Sequence, residues 1–264
     1  MPKLTVVTST YNRPELLKRC IESVLNSSFS DFEYVIINNG STDDTQDVIE
    51  RYMRQDSRIR CFRNEVNSFK KRTRSYDDEI FIETSENKHY TGVDDDDYID
   101  RDMLGTLYHM ATDTGSDICA VGSKWVFPDG SEKNKYVYAG QYTVDRIGAM
   151  VELLKREKIN NGAPGRLYRK KLMYKIDYPQ VPRIRDIHRE YRIFNRIETS
   201  MTMIGKPMYY YYRGDNNLSG LNTGGRLPRK RCRSTFTPTV SARSTCRRRC
   251  RRLRTLRCTA NIRL

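Results

Sequence analysis

No apolar run among the 264 residues approaches the ~18 that a membrane-spanning helix requires, and the first residues lack the apolar core of a signal peptide. A chain that is neither secreted nor membrane-spanning is the expectation. A disulfide framework is missing too, because the seven cysteines are odd in number and include no C-x-x-C pair. Cys20, Cys61 and Cys119 stand singly in apolar stretches, where small buried thiols are expected. Cys232, Cys246, Cys250 and Cys258 follow no usual zinc spacing, so a reducing cytoplasm is the economical setting. Acidic residues are absent from 226–264, which holds 13 Arg and one Lys and thus 14 of the formal net charge of +15. Subtracting 14 from 15 leaves +1 for residues 1–225, a nearly neutral body long enough to bury its own core. No internal repeat is present.

The first hundred residues alternate strand and helix. Residues 4–8 are a short β-branched run ending in the polar turn Ser9-Thr10-Tyr11-Asn12-Arg13. Pro14 suits a first helical turn, and Leu16, Leu17, Cys20, Ile21, Val24 and Leu25 recur at helical spacing. Residues 32–37 read as a second strand, continuous enough in apolar character to sit beside a parallel neighbour. It ends in Asn38-Asn39-Gly40-Ser41, and Thr42 or Asp43 is placed to cap a helix carrying Val48, Ile49, Tyr52 and Met53. Residues 59–62 give a third strand, and 90–93 a strand that runs straight into Asp94-Asp95-Asp96-Asp97. Further on, helices are expected at 103–110 and 144–154, with a hairpin turn at Pro128-Asp129-Gly130 between them. Asp186 opens an amphipathic segment with Ile187, Tyr191, Phe194 and Ile197 on one face, and 201–213 is extended and aromatic. The alternation predicts an α/β, doubly wound, Rossmann-like sheet whose ligands bind beyond the carboxyl ends of the strands.

In such a sheet the turns 8–13, 38–45 and 94–97 converge on one crevice. Four like charges directly after an apolar strand repel one another unless a cation intervenes. Carboxylate oxygens suit Mg²⁺ or Mn²⁺, and Mg²⁺ fills its remaining positions with substrate phosphates. A solvated acidic loop is the plain alternative, which the preceding strand and the two companion turns disfavour.

Three stretches together resemble glycosyltransferase family 2, which has the GT-A fold: residues 6–13 (VVTSTYNR), 36–45 (IINNGSTDDT) and 91–98 (TGVDDDDY). Gly165-Arg166-Leu167-Tyr168-Arg169 and Tyr210-Tyr211-Tyr212-Arg213 look like elements of its bacterial members, and the resemblance covers about residues 3–220. It implies a mixed sheet flanked by helices, and a metal-dependent, inverting transferase moving a sugar from a nucleotide-sugar, expected to be a UDP-sugar, to an acceptor hydroxyl. By this resemblance Thr8, Thr10, Tyr11, Asn12, Arg13, Asn39, Ser41, Asp94 and Asp95 bind the donor. Asn39 stands where the family usually has a base-binding Asp. Asp94 and Asp96 match Asp-x-Asp, Asp96 holding Mn²⁺ or Mg²⁺, and Asp97 is the acid that often follows. Asp186 matches the catalytic base, with Glu190 one turn along as the fallback carboxylate. His188 is read either as a metal or diphosphate ligand or as an ordinary polar helix histidine. The setting implied is bacterial surface polysaccharide synthesis in the cytoplasm, with a saccharide or lipid-linked acceptor and peripheral association at the inner face of the membrane.

Two segments depart from the family. Residues 66–89 lack the expected glycine and Arg-Asn pair, giving instead a basic stretch and then an acidic one. Residues after about 220 show little apolar periodicity. Out-of-frame sequence and natural basic insertions both account for them. The expected division is a GT-A domain over 1–225, with a nucleotide-sugar half at 1–100 and an acceptor half at 101–225, followed by a disordered basic tail at 226–264. A nucleotidyltransferase is the second enzymatic reading, although the first turn has no glycine for a phosphate loop. An inactive homologue with a nucleic-acid-binding tail is the third. Specific nucleic-acid binding is not expected, since the tail offers a single aromatic, Phe236, for stacking.

Overall fold

The computed structural model describes residues 2–67, 87–174, 176 and 185–214, with the backbone alone at 185 and 186. By internal contacts the chain divides into Met1–Asn222 and Thr223–Leu264. The second unit, and with it the expectation for the basic tail, lies outside the described residues, as does most of the segment 66–89.

Four strands form the parallel half of a mixed sheet: β1 (Leu4–Thr10), β2 (Phe32–Asn38), β3 (Ile59–Arg63) and β4 (His89–Gly92). Helix α1 (Pro14–Leu25) joins the first two, and α2 (Thr45–Gln55) joins β2 to β3. Their order in space is β3-β2-β1-β4, so the chain reverses its direction of winding at β1. In doubly wound sheets, ligands bind outside the carboxyl ends of the strands at such a reversal, here between β1 and β4. The remainder is β5 (Tyr98–Ile99), α3 (Met103–Thr114), β6 (Ile118–Val126), β7 (Glu132–Lys135), β8 (Gln141–Val144), α4 (Arg146–Lys155), β9 (Arg166–Arg169), α5 (Arg185–Phe194) and β10 (Met201–Tyr212). These strands extend the same sheet as β4-β9-β6-β10-β5, with antiparallel pairings at β9 and β5. The architecture is the doubly wound, mixed α/β sheet flanked by helices that the sequence predicts.

Strand periodicity explains the two-sided core. Along β1 and β2, Leu4, Val6, Tyr34 and Ile36 face α1, α2 and α3, where they pack with Leu17, Ile21, Ile49 and Leu107. The alternate residues Val7, Val35 and Ile37 face the other layer, with Leu153, Tyr168, Ile193 and Phe194. Strands buried on both faces need continuous apolar sequence, which is why 32–37 reads without alternation. Cys20 and Cys119 are buried thiols as expected, while Cys61 is half-buried.

Several boundaries differ from the sequence reading. Val144 closes β8 instead of opening a helix, and Asp145 caps α4 by accepting the Gly148 N–H at 2.8 Å. Helix α2 begins after Asp44, which makes no side-chain capping bond; of the two expected caps, Asp43 serves, its carboxylate taking the Thr45 N–H and hydroxyl. The face assigned to 186–197 also moves. Ile187 and Tyr191 are 40% and 49% exposed, and the buried face of α5 carries Arg189, Glu190, Ile193 and Phe194. Charged residues were invisible to an apolar count, yet two of them fill this face because they find partners on β9.

Candidate active site

The first turn leaves β1 through Asn12, whose φ of 52° is a left-handed conformation that asparagine tolerates better than most residues. Hydrogen bonds to the second turn hold it there. The Asn12 N–H donates to Ser41 Oγ at 3.0 Å, and Asn12 Oδ1 accepts the Thr42 N–H at 2.9 Å. The Arg13 N–H donates to Thr45 Oγ1, and the Asn39 N–H to the Thr10 carbonyl. Gly40, with φ +75°, lets the second turn pass Val66; a Cβ there would stand 2.9 Å from the Val66 backbone. The third turn joins them through Thr8, whose hydroxyl donates to the Val93 carbonyl at 2.8 Å. The three turns thus meet at the switch point between β1 and β4.

Exposure sorts the residues assigned to donor binding. Tyr11, Asn12, Asp94 and, in part, Arg13 and Asp96 are open to solvent. Thr8, Thr10, Asn39, Ser41 and Asp95 are buried and hold the turns together. Thr8 shares a buried network with Tyr34 and Cys20, and Asn39 Oδ1 accepts the Asn64 amide at 2.8 Å.

Within the acidic run, single carboxylate oxygens of Asp94, Asp96 and Asp97 lie within 4.8 Å of one another. Oxygen donors at this spacing suit a hard divalent cation. Asp97 is buried and its oxygens accept the Tyr209 hydroxyl and the Tyr212 N–H, both at 2.9 Å. Burial, then the charges of Asp94 and Asp96, pushes its carboxyl well above the ordinary range. Asp94 and Asp96 are therefore the carboxylates turned toward the open side, a number that matches how Mg²⁺ is commonly held beside phosphates. His188 is not in this group, although it is half-buried and its Nδ1 has no hydrogen-bond partner among the described residues.

Two arginines of the α1 region bind the run. Arg13 Nη1 stands 2.8 Å from Asp95 Oδ1 and 3.1 Å from Asp96 Oδ2. Burial raises the Asp95 carboxyl, with Arg13 opposing it. Arg19 donates from Nη2 to the Asp96 carbonyl at 2.6 Å, and its guanidinium lies 4.0 Å from the Tyr212 ring centre and 5.0 Å from that of Tyr98. Sequence reasoning missed Arg19 and Tyr209. The period-two alternation of the tyrosine run, which sends 209 and 211 to one face, was the available signal.

A second polar network lies beneath α5. Arg166 and Tyr168 alternate with Leu167 on β9 and point at Glu190, which is wholly buried. Glu190 accepts from Arg166, Tyr168 and Arg189, and Arg166 also donates to Asn160, whose amide reaches Tyr211. Glu190 is consequently a structural ion-pair partner and not a spare base. Asp186 sits in the first turn of α5, and its side chain lies outside the described residues.

A parallel 3-2-1-4 half-sheet with an acidic run at its switch point defines a GT-A-type fold. Residues 5–177, well over half of the chain, match Glycosyl transferase family 2; the chain belongs to that family, and its enzyme class is glycosyltransferase. Glycosyltransferase GlyG of Streptococcus pneumoniae is 26% identical over 228 residues, spanning 81% of this chain and 72% of that one. GalNAc(5)-diNAcBac-PP-undecaprenol beta-1,3-glucosyltransferase of Campylobacter jejuni is 32% identical over 113 residues, 43% of this chain and 36% of that one. The fold is shared with S. aureus TarS 1–349 in complex with UDP-GlcNAc (TM-score 0.65, 19% identity, 80% of this chain and 58% of that one). Mannosyltransferase PcManGT of Pyrobaculum calidifontis, in complex with GDP-Man and Mn²⁺, gives a TM-score of 0.53 at 14% identity, covering 80% of this chain and 56% of that one. The chain thus spans less than two thirds of most of these proteins. Among the described residues no helix is long and apolar enough to cross a membrane.

Proposed function

We propose that this chain is a metal-dependent inverting glycosyltransferase that uses a nucleotide-sugar donor, with residues 1–100 binding the donor, 101–225 the acceptor, and 226–264 a basic appendage. The observation that carries this reading is the meeting of the three turns around Asp94 and Asp96 at the switch point. Tyr11 and Asn12 then face the nucleoside, with Asn39 and Ser41 setting the loop that meets the base. UDP-GlcNAc in TarS supports a UDP-sugar, and the GDP-Man of PcManGT marks the base as the variable part. Mn²⁺ or Mg²⁺ held by Asp94 and Asp96 would neutralise charge developing on the departing diphosphate.

Asp186 takes the proton of the acceptor hydroxyl, whose oxygen attacks the anomeric carbon from the side opposite the diphosphate and so inverts its configuration. The start of α5 stabilises an anion there, which by itself lowers basicity; desolvation by bound acceptor restores it. The Glu190–Arg166 pair fixes α5 against β9 and so sets where Asp186 stands. In this reading His188, two residues on, contacts the metal or the diphosphate. Asp186→Asn should lower transfer by ~10²-fold or more and leave Mn²⁺-dependent nucleotide binding unchanged; near-full transfer would remove Asp186 from this role.

The acceptor is a saccharide or lipid-linked saccharide of bacterial surface polysaccharide synthesis, reached from the cytoplasmic side of the membrane. Ile147, Val151 and Leu154 form an exposed apolar stripe on α4, with exposed Lys155 and Arg156 beside it. Three side chains cover far less than the ~800 Å² per partner of a stable protein interface, whereas apolar and basic groups together suit an anionic lipid surface. Sedimentation with phosphatidylglycerol vesicles checks this, and equal recovery of a Leu154→Glu variant would contradict it.

A further inference from the structure

The side chain of Arg13 does something the fold does not require. It precedes Pro14 at the start of α1, yet it makes no side-chain capping bond to the helix. Its backbone N–H already anchors the turn through Thr45 Oγ1. The guanidinium instead crosses to the acidic run, where one nitrogen, Nη1, serves two carboxylates: Asp95 at 2.8 Å and Asp96 at 3.1 Å. This differs from the two-pronged pairing that makes arginine–carboxylate contacts rigid. The two acids also differ, since the Asp95 side chain is 8% exposed and that of Asp96 is 15% exposed and shared with the candidate cation group. Arg13 keeps 21% of its side chain in solvent. Arg19 supplies the contrast, held by the Asp96 carbonyl and two tyrosine rings.

We propose that Arg13 is a charge-exchange residue of the donor site. With the site empty it neutralises Asp96. With a divalent cation held by Asp94 and Asp96, the guanidinium, still tethered by Asp95, would give up Asp96 and turn its second contact to the donor diphosphate. A guanidinium stays protonated in proteins, so it cannot vacate the carboxylate by losing a proton and has to move. The diphosphate replaces the anionic partner that Asp96 ceases to be. Arg13 thereby opposes cation binding in the empty site and favours donor binding in the loaded one, which ties the order of binding to one side chain. This inference rests on Asp94 and Asp96 holding the cation.

The test is Mn²⁺ binding followed by electron paramagnetic resonance, with UDP binding at saturating Mn²⁺ measured by calorimetry. Wild type, Arg13→Met and Asp96→Asn are compared, with Arg13→Gln in place of Arg13→Met should the latter not fold. Arg13→Met should bind Mn²⁺ alone about tenfold more tightly and UDP in the presence of Mn²⁺ about tenfold more weakly, as expected for loss of one close charge. A merely structural role would weaken both. Both affinities unchanged, both weakened, or Mn²⁺ tightened without loss of UDP would each overturn the exchange. Asp96→Asn separates the premise: Mn²⁺ binding as in wild type would refute the cation site itself, while its loss beside an unresponsive Arg13→Met refutes the exchange alone.

Discussion

Glu190 shows how a side chain can be chemically eligible and structurally committed. It is fully buried between Arg166 and Arg189, with the Tyr168 hydroxyl on the same oxygen as Arg166. Such a pair adds little against a well-packed apolar alternative, but breaking it leaves charge stranded. Glu190→Gln should therefore lower folding stability by ~3 kcal/mol or more, read by denaturant unfolding, and a loss below about 1 kcal/mol would refute the committed role. The sequence shows Glu190 and Arg166 as polar residues 24 positions apart, and nothing in their local pattern pairs them. Asp94 to Asp97 were legible because the run follows a strand directly. Which of the four faces outward was not, since that depends on Tyr209 and Tyr212, more than a hundred residues away.

Among elements, the turn between α5 and β10 is built on Asp117, the residue just before β6. Its carboxylate accepts the Glu198 and Thr199 N–H groups at 2.8 and 3.0 Å and faces Arg169 and Lys171. Burial alone would raise this carboxyl; the two N–H groups and the two cations outweigh it and hold it below the usual Asp range. A depressed carboxyl stabilises the fold above its unfolded pKa of ~3.9 and ceases to do so as pH falls through its folded value. Asp117→Asn should cost ~1–3 kcal/mol at pH 7, and its unfolding free energy should fall less steeply than wild type below about pH 4. Parallel acid profiles would contradict this account. The elements themselves were legible where apolar period and turn chemistry agree, as in β1, α1, β2 and the Pro128–Gly130 turn, which closes the β6–β7 hairpin. Agreement failed at α5, where ion pairs replace apolar residues on the buried face, and at β8, where Val144 ends a strand.

Across the whole molecule, β1 is where the two halves of the design meet. The winding reversal lies beside it, the three turns meet there, and β10, more than a hundred residues further along the chain, brings Tyr209 to Asp94 and Asp97. A sheet of this kind makes a site from residues that are distant in sequence, so its parts can be named from motifs while their division of labour waits on the fold. The central claim is that Asp94 and Asp96 make nucleotide-sugar chemistry depend on a divalent cation. The direct measurement is UDP release from a panel of UDP-sugars by the full chain, with Mn²⁺ and with EDTA, beside Asp96→Asn. The account predicts release from at least one UDP-sugar that requires Mn²⁺ and is lost with EDTA and in Asp96→Asn. Release that persists undiminished in EDTA or in Asp96→Asn, or none from any UDP-sugar, would contradict it.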